Sequence, residues 1–205
     1  MTVKPTIHVI GTGGTISGAG SSETAAAYES GRVDASELVA KVEGLKQAPN
    51  IKTENLFSTG SENLGPVQWK ILARRIEELT KSKDVDGVVV THGTDTLEEA
   101  SFFLDLVCKP SKPVVLTAAM RPATALSADG PANLYQSILA AASPQLNGHA
   151  ILVLMNGTVI PGWQAIKTDS TSLESFCAYP GGIIGRITGD RVILSGESCS
   201  SSLSG

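Results

Sequence analysis

Apolar residues along the chain cluster in short runs, at positions 7–10, 51–57, 88–90, 114–118 and 151–155, each followed by a polar or glycine-rich stretch. Position 51–57 alternates Ile51, Thr53, Asn55, Phe57, the period of a strand with two unlike faces; 88–90 and 151–155 are continuously apolar, and 7–10 and 114–118 are broken only by His8 and Thr117, as in a strand buried on both sides. Between the runs the spacing changes to three and four. Leu38, Val42 and Leu45 share one helical face over 34–48. Trp69, Leu72, Ala73, Ile76 and Leu79 do so after Pro66. Leu97, Ala100, Leu104 and Val107 do so after Thr96, and Leu134, Ile138 and Ala141 after Pro131. Strand followed by helix, repeated, predicts an α/β fold with a mainly parallel sheet and helices on both faces. Right-handed crossovers then put the loops after the parallel strands on one edge of that sheet.

Helix starts carry their own signals. Asp34 with Glu37, and Thr96 with Glu99, have the spacing of capping boxes, which would leave Thr94 and Asp95 just outside the helix. Residues 18–31 have almost no apolar periodicity, are rich in Gly, Ser and Ala, and carry one aromatic, Tyr28. A connection this long and irregular suits an active-site lid.

Composition narrows the function class. With 205 residues, 41% hydrophobic and 18% charged, the chain suits one globular domain with a substantial core. A net charge of −4, and no basic run longer than Arg74-Arg75, argue against a nucleic-acid surface. The apolar runs are too short for a membrane span, and the first five residues lead straight into a strand without a signal-peptide core, so no membrane association and a cytoplasmic location are expected. Cys108, Cys177 and Cys199 have no spacing that indicates a disulfide framework or a zinc site. Asn156-Gly157-Thr158 matches a glycosylation acceptor, but without an export signal it reads as accidental.

Candidate chemistry sits where strands end. The loops at 11–15, 58–63, 91–95 and 119–124 all follow predicted strands, so one parallel sheet brings their hydroxyls and carboxylates together at its carboxyl edge, where α/β sheets bind ligands. Gly11-Thr12-Gly13-Gly14-Thr15-Ile16 is not a dinucleotide fingerprint, because Ile16 stands where the third glycine belongs. Thr12, held between glycines, is placed for a hydroxyl that approaches a substrate carbonyl. Ser61 and Glu62 occupy a strand-loop-helix position like that of Thr94 and Asp95. Taken singly, each loop also reads as turn and cap chemistry, Tyr28 as a packing residue and Lys167 as a surface lysine. His92 reads as a structural hydrogen-bonding residue, and without a G-x-S-x-G elbow a Ser-His-Asp hydrolase is disfavoured.

The motifs together carry a resemblance. Gly11 to Ile16, Thr91-His92-Gly93-Thr94-Asp95-Thr96, and the stretch from Ala119-Met120-Arg121-Pro122 to Asn133 resemble the bacterial-type L-asparaginases and glutaminase-asparaginases, with the likeness running over about 7–189. The resemblance implies a flavodoxin-like large domain, over 1–190, with the family's smaller C-terminal domain absent and 191–205 a Ser-rich, low-complexity tail. It implies hydrolysis of the side-chain amide of L-asparagine, with L-glutamine as a second candidate substrate because Glu62 stands where many asparaginases have Gln. Thr12 would be the nucleophile and Tyr28 its partner on the lid. Thr94, Asp95 and Lys167 would complete the catalytic set, and Ser61 and Glu62, with Thr94 and Asp95, would hold the substrate's charged end. No metal or organic cofactor is implied. The family is homo-oligomeric, and a neighbouring subunit's C-terminal domain completes each site, so the rival readings are an amino-acid-binding domain without turnover and, on the glycine-rich loops alone, a nucleotide-binding module.

Overall fold

Valine-rich strands bury both faces only if helices cover both sides of the sheet, and the fold does this. The structure, a computed structural model, describes residues 4–24, 27–47 and 49–195. Along the chain run β1 (Thr6–Gly13), the two-residue strands β2 (Ala19–Gly20) and β3 (Tyr28–Glu29), α1 (Ala35–Ala40), β4 (Asn50–Thr59), α2 (Pro66–Lys81), β5 (Gly87–Thr91), α3 (Leu97–Val107), β6 (Val114–Thr117), α4 (Gly130–Ala141) and β7 (Ile151–Met155). Then come β8 (Thr158–Pro161), β9 (Ala165–Lys167), β10 (Phe176–Ala178), β11 (Gly185–Thr188) and β12 (Arg191–Leu194).

The eight-stranded sheet has the order β12-β11-β8-β7-β6-β5-β1-β4. From β7 to β4 every pair is parallel. Counting only these parallel strands along the chain, the order is 2-1-3-4-5, the flavodoxin-like arrangement, with its switch point between β1 and β5. Alternation of side chains divides the core. Val89 and Val115 face α1 and α4 with Leu38, Leu134 and Ile138, whereas Val88, Val90 and Leu116 face α2 and α3 with Leu72, Ile76, Leu97 and Leu104.

Several local expectations give way to tertiary contacts. The helix expected over 34–48 ends at Ala40 and resumes as a tighter 3-10 turn over Glu43–Gln47, with helix-weakening Gly44 against the Tyr135 ring; Ala48 lies outside the described residues. Neither expected capping box forms. Asn55 on β4 accepts the Ala35 N–H and donates to Asp34, so a neighbouring strand supplies the cap. After β7, the Asn156-Gly157 pair takes positive φ at both positions and turns the chain back into antiparallel β8, so the sheet is mixed beyond its parallel core. The tail expected from residue 191 begins inside an element, because Arg191–Leu194 is the edge strand β12, paired with β11. Residues 196–205, with Cys199, lie outside the described residues; Cys108 is buried and Cys177 exposed, both free thiols. Among the described residues no helix is long and apolar enough to cross a membrane.

Candidate active site

β1 leaves the sheet at the switch point through an irregularity between Gly11 and Gly13, and Gly13 and Gly14 both take positive φ. The turn passes between the end of β4 and the β5 loop so closely that a Cβ at Gly14 would collide with the Gly93 backbone. Only glycine combines this conformation with this approach. Beyond the turn, Thr15 opens a 3-10 turn with its side chain nearly buried. Its hydroxyl forms a 2.7 Å hydrogen bond with the phenol of Tyr28, which stands on β3 where that strand pairs with β2.

Thr15 and Tyr28 line a cavity of about 210 Å³ together with Gly14, Ser30, Ser61, Glu62, Gly93 and Asp95. Asp95 also borders a second, adjoining depression with Lys167. The Lys167 ammonium donates to Thr94 Oγ1 and to Asp95 Oδ1, each at 2.9 Å. An amine thus stands between a hydroxyl and a carboxylate, and Asp95, which bears that carboxylate, shares a cavity wall with a second hydroxyl paired with a phenol. Such a set can attack a carbonyl, move a proton and hold an ammonium group.

The structure therefore brings Tyr28, Ser61, Glu62 and Asp95 to one cavity, and joins Thr94 and Lys167 to it through Asp95. Thr12 is placed differently. It is still within β1, fully buried, absent from the cavity wall, and its Oγ1 donates to the Thr91 carbonyl at 2.9 Å. The residue that the reading of the glycine turn passes over is Thr15, three positions on, where the chain has cleared the sheet. His92 is fully buried, with Nδ1 against the Gly93 carbonyl at 2.9 Å, and burial pushes its pKa below the ordinary imidazole range. It stays neutral within the core. Burial likewise pushes the Cys108 thiol up to about 11, so this cysteine is no nucleophile. Among the described residues no group of three His, Cys, Asp or Glu side chains is arranged to hold a metal ion.

Comparison with known proteins agrees with this architecture. Residues 6–199 match the family model for asparaginase, N-terminal. The chain is 42% identical over 187 residues to L-asparaginase 2 of Bacillus subtilis, covering 91% of this chain and 50% of that protein. It is also 42% identical over 188 residues to a probable periplasmic L-asparaginase of Haemophilus influenzae, covering 92% and 53%. With a glutaminase-asparaginase of Pseudomonas fluorescens it shares 42% identity over 182 residues, covering 88% and 50%. A solved structure described as a probable cytoplasmic L-asparaginase from Campylobacter jejuni superposes with a TM-score of 0.90 at 36% identity, covering 94% of this chain and 59% of that one. The chain spans about half the length of the curated relatives it matches. It belongs to the asparaginase family, to whose N-terminal domain residues 6–199 correspond.

Proposed function

We propose that this chain carries the amide-hydrolysing site of an L-asparaginase, releasing ammonia and aspartate from L-asparagine, with Thr15 in the role the sequence suggests for Thr12. The observation that carries this reading is the Thr15–Tyr28 hydrogen bond of 2.7 Å at the wall of a cavity rimmed by Ser61, Glu62 and Asp95. Thr15 Oγ1 attacks the side-chain amide carbon and passes its proton to the Tyr28 oxygen as the phenol gives its own proton to the departing amide nitrogen. The tetrahedral intermediate expels ammonia and leaves an aspartyl ester on Thr15. Water then cleaves the ester, oriented by the Thr94–Lys167–Asp95 relay, whose ammonium also favours negative charge developing on the carbonyl oxygen. Asp95 and Glu62 face the substrate ammonium, and Ser61 the α-carboxylate.

The same cavity takes L-glutamine as a second substrate, a reading supported by the name of the Pseudomonas relative. No cofactor enters the chemistry. A cytoplasmic location and a homo-oligomeric state belong to the same reading; the Campylobacter neighbour is described as cytoplasmic, and the Haemophilus relative as periplasmic. The test measures ammonia release from L-asparagine by the purified 205-residue chain, with L-aspartate binding by calorimetry alongside. Release abolished by Thr15→Ala supports the reading. Aspartate binding without release supports an amino-acid-binding domain, and neither one overturns both.

A further inference from the structure

The first turn of α3 touches both halves of the site. Thr96 occupies the N-cap position with a non-helical backbone, yet its side chain makes no capping hydrogen bond to its own helix. Its Oγ1 donates instead to the Ser61 carbonyl at 2.9 Å, across 35 positions of sequence. An N-cap hydroxyl contributes about 1 kcal/mol to a helix, so its diversion to another loop calls for a purpose there. Ser61 is also held from the other side, because the absence of a Cβ on Gly93 leaves room for the Ser61 hydroxyl. Two residues beyond Thr96, the Glu98 carboxylate accepts the backbone N–H of Lys167. Ser101, one helical turn further, donates to the Gly162 carbonyl at 2.8 Å and fixes the approach to β9, whose last residue is Lys167.

Lys167 is thereby bracketed, with its backbone tied to Glu98 and its ammonium tied to Thr94 and Asp95 in the loop just before the same helix. A lysine stem has several free rotations, and anchoring both its ends reduces the arrangements that would carry the ammonium away from Thr94. We propose that Thr96 and Glu98 are positioning residues of this site: Thr96 sets the Ser61–Glu62 loop that binds the amino-acid end, and Glu98 sets Lys167 on the chemical side. This rests on the amide-hydrolase reading above. One rigid helix start thus fixes the spacing between where the substrate is held and where it reacts, a spacing to which rates are steeply sensitive.

The experiment compares Thr96→Val, Thr96→Ser, Glu98→Ala and Glu98→Gln in the 205-residue chain. Thr96→Val, which keeps the shape but loses the hydroxyl, raises the L-aspartate Kd and the asparagine KM about tenfold with kcat within twofold, and Thr96→Ser restores both. Glu98→Ala lowers kcat tenfold or more with aspartate Kd within twofold, and Glu98→Gln, whose side-chain carbonyl still accepts the N–H, recovers most of it. Equal losses in Thr96→Val and Thr96→Ser, or a raised KM together with a lowered kcat in both series, overturn the proposal. Backbone amide NMR shifts decide the matter independently of turnover. The Lys167 amide proton moves upfield in Glu98→Ala but not in Thr96→Val, and the amides around Ser61 and Glu62 do the reverse. Shifts that fail to separate this way overturn the positioning roles even if the chain hydrolyses asparagine. The expected shifts in a chain that neither binds aspartate nor releases ammonia leave the positioning intact and reject only the amide-hydrolase reading.

Discussion

The Thr12 hydroxyl donates to the carbonyl of Thr91 at 2.9 Å, bridging β1 and β5 at the point where their paths separate. Both partners are buried, so removing the donor takes a hydrogen bond from a buried carbonyl, at a cost of about 1 kcal/mol. Thr12→Val is expected to lower the unfolding free energy by that amount in urea titrations, while ammonia release stays within about threefold of the parent. A thousandfold loss of release in a folded Thr12→Val variant would return the nucleophile to this position.

Lys167 and Asp95 form an ion pair of which the carboxylate is largely exposed, 66% against 20% for the lysine. An exposed pair contributes little to stability, about 0–1 kcal/mol. Lys167→Met therefore shifts the urea midpoint slightly, yet removes the group that organises Thr94, and lowers ammonia release by roughly 10²–10⁴-fold, the range of proton-transfer groups. Thermal melts and ammonia release measured on the same preparation check both halves; a variant that melts far below the parent contradicts the assignment of Lys167 to function rather than to folding.

His92 gives the fold a pH dependence. Its pKa in the folded chain lies below the ordinary imidazole value of 6.5 because the ring is desolvated. Below pH 6.5 the unfolded chain therefore binds a proton that the folded chain does not, so the His92 contribution is fully present above about that pH and is lost as pH falls towards the folded pKa. His8, also lowered chiefly by burial with Glu54 opposing, acts in the same direction. Unfolding free energies in urea are expected to fall between pH 7.5 and pH 5.5, by up to about 1.4 kcal/mol per pH unit for each such group, and His92→Gln should flatten the slope. An unchanged slope in that variant counts against a neutral buried His92.

Gly14 has φ +78° and lies against the Gly93 backbone. Gly14→Ala forces a side chain into φ +78°, ψ −176°, a region essentially reserved for glycine and worth about 1–3 kcal/mol, and pushes the Thr15 turn away from the Asp95 loop. Ammonia release should fall at least a hundredfold even at temperatures where circular dichroism shows the chain folded. Parent-like release from the folded variant would mean that the turn does not set the geometry of Thr15.

Strand and helix positions were legible because periodicity and burial act locally: Val88, Val89 and Val90 can only be a buried strand, and Leu72, Ile76 and Leu79 only a helix face. Convergence of the loops followed from strand order. What sequence could not separate was Thr12 from Thr15, since both adjoin glycine and the distinction depends on where β1 ends and where positive φ begins. Asn156-Gly157 is a strong hairpin signal, but the same residues fit a glycosylation pattern, and the strands that follow are only three or four residues long, too short for a clear period. The hydroxyl of Thr96 and the carboxylate of Asp34 look like caps locally, and find their partners in Ser61 and Asn55 only once the chain has folded.

The most direct measurement of the central claim is mass spectrometry of the chain quenched during L-asparagine hydrolysis, with fragmentation across residues 5–32, which hold both Thr12 and Thr15. The account predicts an aspartyl ester on Thr15, absent from Thr15→Ala and present in Thr12→Val. An adduct on Thr12, or one that persists in Thr15→Ala, would contradict it.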